Sequence, residues 1–198
     1  MILKTYSIWA FIVGITFFSI YPICNWISSK RSDVSQLYFS FELKIPFIPE
    51  FIFVYLSMYI LFFLPPFFLN ENQLKVLAKQ IIIATLVSGI FFLLFPSQLG
   101  YERIIPNDYL GSIFNRVFSL DLPYNMVPSL HVVYSGFILL SIFDSINIKS
   151  LRVLLITWLG MIILSTLLVH QHHIIDIIVA LAIIFVIKYK FKQRNTNV

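Results

Sequence analysis

Charge is what this chain has least of. Only 12% of its 198 residues are charged, 59% are apolar, and the mean hydropathy is +0.90. Soluble domains carry about 25% charge, so the composition excludes an ordinary water-soluble globular domain. Cysteine is equally scarce. Cys24 stands alone inside an apolar run, so no internal disulfide can form. Internal repeats and low-complexity linkers are absent. The first apolar run lacks the small-residue cleavage site of a signal peptide and is too long for one. The formal charge of +5 comes from basic residues interleaved with apolar runs. Such placement reports membrane orientation, not a nucleic-acid surface.

The sequence does hold six apolar segments, roughly Tyr6–Trp26, Phe51–Leu69, Val76–Phe95, Val127–Phe143, Val153–Val169 and Ile174–Ile187. They are continuous and not alternating, which predicts helices instead of a β-barrel. A span needs about 20 residues; the last three fall short unless their polar ends lie at membrane depth. The expected fold class is therefore all-α, a single domain over 1–198 built as a bundle of six transmembrane helices. Six spans put both termini on one side. That side holds Lys4, Lys75, Lys79, Lys149, Arg152, Lys188, Lys190, Lys192 and Arg194; the other holds Lys30, Arg31, Lys44, Arg103 and Arg116. The excess places the termini in the cytoplasm. Connections 27–50, 96–126 and 170–173 then face outward from the cell (inner) membrane.

All four histidines fall into two short clusters, both on the outward side: Pro128-Ser129-Leu130-His131, and His170-Gln171-His172-His173-Ile174-Ile175-Asp176. Polar groups are costly at membrane depth and mark function. A short turn between the fifth and sixth spans predicts antiparallel neighbours. His172 and Asp176 are four apart and share a helix face if the sixth span starts by about His172; His173 and Asp176, three apart, are the other pairing that spacing allows. The chemistry suggested is phosphoryl transfer, with one histidine as a nucleophile oriented by a carboxylate and another as general acid. Pro128 suits the first turn of a helix. The following amides, with the Ser129 hydroxyl, would make an anion site there. Arg103 and Arg116 are the candidate cations in the 96–126 connection.

These residues resemble motifs of the type 2 phosphatidic acid phosphatase superfamily. Pro128-Ser129-Leu130-His131 looks like that family's Pro-Ser-x-His signature. Ser165-Thr166, five residues, His172, three residues, Asp176 matches the spacing of its third motif. The resemblance covers about residues 51–187. It implies His172 as nucleophile, Asp176 as its orienting partner, His131 as general acid, and Ser129 and Ser165 as phosphate contacts, in a reaction needing neither metal nor other cofactor. The first-motif lysine has no counterpart in Gly100-Tyr101-Glu102-Arg103-Ile104-Ile105-Pro106, and Thr166 stands where the family has arginine. Either Arg103 and Arg116 substitute, with Arg103 ranked first by its nearness to Pro106, or the chain is similar to the inositol phosphorylceramide synthase-like or sphingomyelin synthase-like transferases.

The expected activity is that of a lipid-phosphate phosphatase acting on membrane lipids at the outward face. A lipid headgroup phosphotransferase is the first alternative, and a non-catalytic lipid-binding or transport protein the second. A metal site from His170, His172, His173 and Asp176 is set aside because only one such cluster exists. His170 and His173 are read as structural or interfacial. Ile45–Pro49, apolar and broken by two prolines, is read as a loop or a lipid guide at the site mouth, and Leu110–Leu120 as a short surface helix.

Overall fold

Every regular element in the described residues is helical. The computed structural model describes residues 1–196; the side chain of Arg194, counted above for orientation, lies outside what is described. Among the described residues nine α-helices follow in order: α1 Ile2–Ser29, α2 Ile52–Leu56, α3 Met58–Leu61, α4 Pro65–Phe68, α5 Glu71–Leu94, α6 Leu110–Leu120, α7 Leu130–Ser145, α8 Lys149–Leu168 and α9 Ile174–Thr196. Three of them, α1, α5 and α8, are long and apolar enough to cross a membrane. The run in α9 is bounded by Asp176 on one side and Lys188, Lys190 and Lys192 on the other.

The expected second span is broken. A 3₁₀ turn at Pro49–Phe51 leads into α2, α3 and α4, joined through Ser57 and through i→i+3 bonds such as Phe63 N–H to Ile60 O and Leu64 N–H to Leu61 O. Pro65 and Pro66 supply no N–H to extend the ladder. By contrast, α5 starts cleanly. The Asn70 side chain accepts from Gln73 N–H at 3.0 Å, and Gln73 Oε1 accepts from Asn70 N–H at 2.9 Å, a reciprocal cap.

The core forms around α7. Leu130, Val132, Val133, Phe137, Leu139 and Ile142 are buried, and the helix packs on α3, α4, α5, α8 and α9. Outermost is α1, laid along α5. The start of α1 meets the start of α5 in a cleft lined by Met1, Ile2, Leu3, Asn70, Glu71 and Asn72, so the two helices run parallel. The antiparallel pairing expected of α8 and α9 does not form as extended packing: α7 packs against both, whereas α8 and α9 share few contacts among the described residues. A short turn brings two helix ends together; it does not choose which sides bury the most apolar surface. The expected short helix at Leu110–Leu120 is present as α6. Its Leu110 and Phe114 are buried against Ile52, Tyr55 and Val169, while Arg116 and Ser119 are exposed.

Candidate functional site

The second histidine cluster sits in the turn after α8, and the shape of that turn follows from one backbone conformation. His170 has φ 53, the left-handed region usually taken by glycine at a helix end. Its N–H bonds to Leu167 O and that of Gln171 to Thr166 O, which closes the helix. His172 N–H also bonds to Thr166 O, at 3.1 Å. The His170 ring pays back part of the strain: Nε2 lies 2.9 Å from Ile45 O, and the ring stacks on Tyr101 with centroids 4.0 Å apart.

The next helix, α9, starts at Ile174, two residues after His172. His172 and Asp176 meet all the same. Nδ1 of His172 lies 3.1 Å from Asp176 Oδ2, and that oxygen also accepts from the His173 N–H at 2.8 Å. Asp176 therefore both caps the helix, where a carboxylate suits the N-terminal dipole, and orients His172. With Nδ1 donating to the carboxylate, Nε2 of His172 keeps its lone pair.

His173 is committed elsewhere. Gly100 N–H donates to its Nε2 at 3.0 Å, so Nδ1 carries the proton and faces Glu42 Oε2 at 3.3 Å. Both charged and polar needs of Glu42, which is fully buried, are met here: Oε2 also accepts from Ile174 N–H at 2.8 Å and Oε1 from Phe39 N–H at 2.8 Å. The ring of His173 stacks between Tyr38 and Tyr101. Burial holds its pKa below the ordinary imidazole value, with Asp176 and Glu42 opposing.

The first cluster opens α7, with a correction to the expected register. Ser129 is the N-cap and Pro128 precedes it, after a cis Val127–Pro128 bond, so Pro128 is not in the first helical turn. The Ser129 hydroxyl accepts from Val132 N–H at 3.4 Å, and Ser129 N–H bonds to Asp176 O at 3.2 Å. That second bond ties the two clusters together through the backbone. His131, in the first turn of α7, has Tyr55 stacked on it at 3.9 Å, with the Tyr55 hydroxyl 3.2 Å from Nδ1. Its Nε2 is buried without a hydrogen-bond partner among the described residues. If Tyr55 donates, Nε2 bears the proton. The His131 and His172 rings are 6.3 Å apart, centre to centre.

Both rings line a cavity of about 1020 Å³, together with Tyr21, Asn25, Tyr55, Arg116 and Asp121. This is at the upper end of small-ligand sites. Arg116 makes no side-chain hydrogen bond or ion pair among the described residues, and it is exposed. Arg103 does not line the cavity. Its guanidinium donates to Phe118 O at 3.2 Å and Asp121 O at 2.7 Å and lies over the Phe118 ring, where it completes the C-terminus of α6. Ser129 and Ser165 are buried behind the cavity wall, with the Ser165 hydroxyl bonded to Ile162 O at 2.7 Å. Ile45–Pro49 likewise leaves the cavity alone and docks on the α8–α9 turn, through Ile48 N–H to Leu168 O and Phe47 beside His170.

Three residues have no motif to reveal them. Tyr55 reads as one more aromatic in an apolar run. Glu42 and Asp121 carry a weak signal, since an acid is rare in this chain. Asp121 Oδ1 accepts from Tyr21 OH at 2.6 Å and Asn25 Nδ2 at 3.0 Å, binding α6 to α1. Burial raises its pKa above the usual carboxylate range, opposed by Tyr21, His172, Arg103 and Asn25. Comparisons with family models, with curated proteins and with solved structures find no match for this chain.

Proposed function

We propose that the protein is an integral-membrane lipid-phosphate phosphatase of the type 2 phosphatidic acid phosphatase kind, acting without metal through a phosphohistidine on His172. The observation that carries this reading is the meeting of two separate motifs at one cavity: His131 faces His172 across 6.3 Å, and His172 leans on Asp176. In the first step His172 Nε2 bonds to phosphorus as the phosphorus–oxygen bond to the lipid breaks, and His131, entering as the imidazolium with Nδ1–H donating to the Tyr55 hydroxyl, passes its Nε2 proton to the leaving oxygen and becomes neutral. His131 then takes a proton from water as its oxygen attacks the phosphohistidine, which releases inorganic phosphate and restores both rings. Asp176 holds His172 in the required tautomer and balances its charge. Arg116 is the cation placed to offset the phosphate.

In this reading the chain crosses the membrane six times, through α1, the broken segment from Pro49 to Phe68, α5, α7, α8 and α9. Both termini are cytoplasmic and the site faces outward. Support comes from the basic bias of the connections and from the parallel run of α1 and α5.

A second reading, transfer of a phospho-headgroup to a hydroxyl-bearing lipid or polyol, is favoured by one feature. Asp121 and Arg116 both line the cavity, so its polar end offers little net positive charge for a phosphomonoester. Purified protein in detergent separates the two. The phosphatase releases inorganic phosphate from lipid monophosphates, resists EDTA, and loses turnover in the His172→Ala variant. Phosphate release that depends on an added divalent metal, or that survives His172→Ala, overturns the proposal. A phosphodiester consumed only when an acceptor alcohol is present selects the transferase.

A further inference from the structure

The cavity does not stop at the histidines. One face of α1 lines it from Asn25 back through Tyr21, Phe17, Val13 and Trp9 to Tyr6, at the three- and four-residue spacing of a single helical stripe. From Tyr6 to Asn25 the helix rises about 29 Å, close to the roughly 30 Å hydrocarbon thickness of a bilayer. The charged side chains and the histidines of the lining, Arg116, Asp121, His131 and His172, lie with Asn25 at one end. At the far end the wall reaches Leu74, in the first turn of α5, and the Tyr6 hydroxyl is bonded to Phe62 O. The cavity is thus a slot with a polar head and an apolar tail as long as a membrane crossing.

A lipid confined to one leaflet fills only half of such a slot, since its chains end near the midplane, about 15 Å from the interface. The apolar wall beyond would then be left without an occupant. We propose that the slot binds one lipid phosphate whose single hydrocarbon chain passes the bilayer midplane, a polyisoprenoid or very-long-chain alkyl phosphate, with its phosphate beside His131 and His172 and its tail toward Tyr6. The headgroup placement rests on the phosphatase reading; the tail placement does not need turnover.

Gly14 marks the midpoint. It lines the slot, a Cβ added there meets nothing within 4 Å, and it stands about 16 Å of helix from Asn25. A large side chain at Gly14 projects into open space and stops long chains while short ones still reach the head. Ala10, one turn deeper on the same stripe, also lines the slot.

The test uses the full chain in detergent with Cys24→Ser, so that Ala10→Cys is the single thiol. Solanesyl phosphate should slow maleimide labelling of Ala10→Cys at least tenfold, and octyl phosphate should not. The same protection should persist in a His172→Ala background, which binds without turning over. Gly14→Trp should shift the solanesyl-to-octyl preference in kcat/KM about tenfold toward octyl, the effect of excluding roughly two methylenes. Equal protection by both phosphates, or by neither, overturns the slot proposal even if phosphate is released. Labelling that falls with protein concentration instead of with lipid also overturns it and makes the stripe a contact between copies. Protection by solanesyl phosphate without any phosphate release keeps the slot and removes the phosphatase.

Discussion

His172 rests Nδ1 on Asp176 and lines the cavity, while His131 pairs with Tyr55 and its buried Nε2 has no partner among the described residues. Unequal roles follow from unequal surroundings. His172→Ala should abolish turnover on every phosphate substrate. His131→Ala should lose about 10²–10⁴-fold, the range of a general acid, and recover with p-nitrophenyl phosphate, whose leaving group needs no proton. Steady-state rates on a lipid phosphate and on p-nitrophenyl phosphate check this; equal losses for both variants on both substrates would refute the division of roles. The two arginines also separate. Arg116 faces the cavity and Arg103 binds the carbonyls of α6. Arg116→Ala should lower kcat/KM about 10²-fold with little change in Tm. Arg103→Ala should cost stability instead, about 1.5–3 kcal/mol for each charge-assisted bond lost, read as a fall in Tm. A stable but inactive Arg103→Ala protein would return Arg103 to the phosphate site.

The turn between α8 and α9 is the element that makes the site. Its left-handed residue, His170, and its capped start, His173, each place a neutral ring in a hydrogen-bonded slot. Burial holds both imidazoles below their ordinary value, so the unfolded chain takes up protons first as pH falls. Their contribution to stability is complete above the unfolded value of about 6.5 and is lost as pH drops below it toward the folded values. Tm should therefore decline from about pH 6.5 to pH 5. Protonating His173 would also remove the acceptor that Gly100 N–H uses. His173→Gln should flatten the profile, and a Tm independent of pH across that range would show that the turn is not proton-sensitive. Position 100 has its own constraint: a Cβ there would meet the Tyr38 ring, which stacks on His173.

At the scale of the molecule, the proposed function fixes which way the helices face. Three helices among the described residues meet the length and apolarity of a crossing, and on the six-span reading the basic residues are unevenly split between the two sides. A cysteine placed in α6, which carries Arg116 at the cavity, should react with an impermeant thiol reagent in intact cells. One placed near Ile148, at the start of α8, should react only after lysis. Labelling in the reverse order would turn the bundle over and move the site to the cytoplasmic leaflet.

Composition and pattern by themselves determined the all-helical apolar chain, the existence of α6 and the two histidine clusters, and narrowed the partner of Asp176 to His172 or His173, between which spacing did not choose. Each of these depends on residues near in sequence, where helical period and spacing are decisive. Even there the sequence-based boundaries shifted: Pro128 lies before the cap, and Phe51–Leu69 is broken, because prolines and caps act on single residues. Tertiary structure alone decided the rest. It put α7 between α8 and α9, gave Arg116 the cavity and Arg103 the end of α6, buried Ser129 and Ser165 behind the wall, and brought Tyr55, Glu42 and Asp121 to the histidines. Glu42 is 131 residues from His173, and no periodicity reaches that far. Such contacts are chosen by which helix faces bury the most apolar surface and by which buried polar atoms must find partners, and both are properties of the packed bundle.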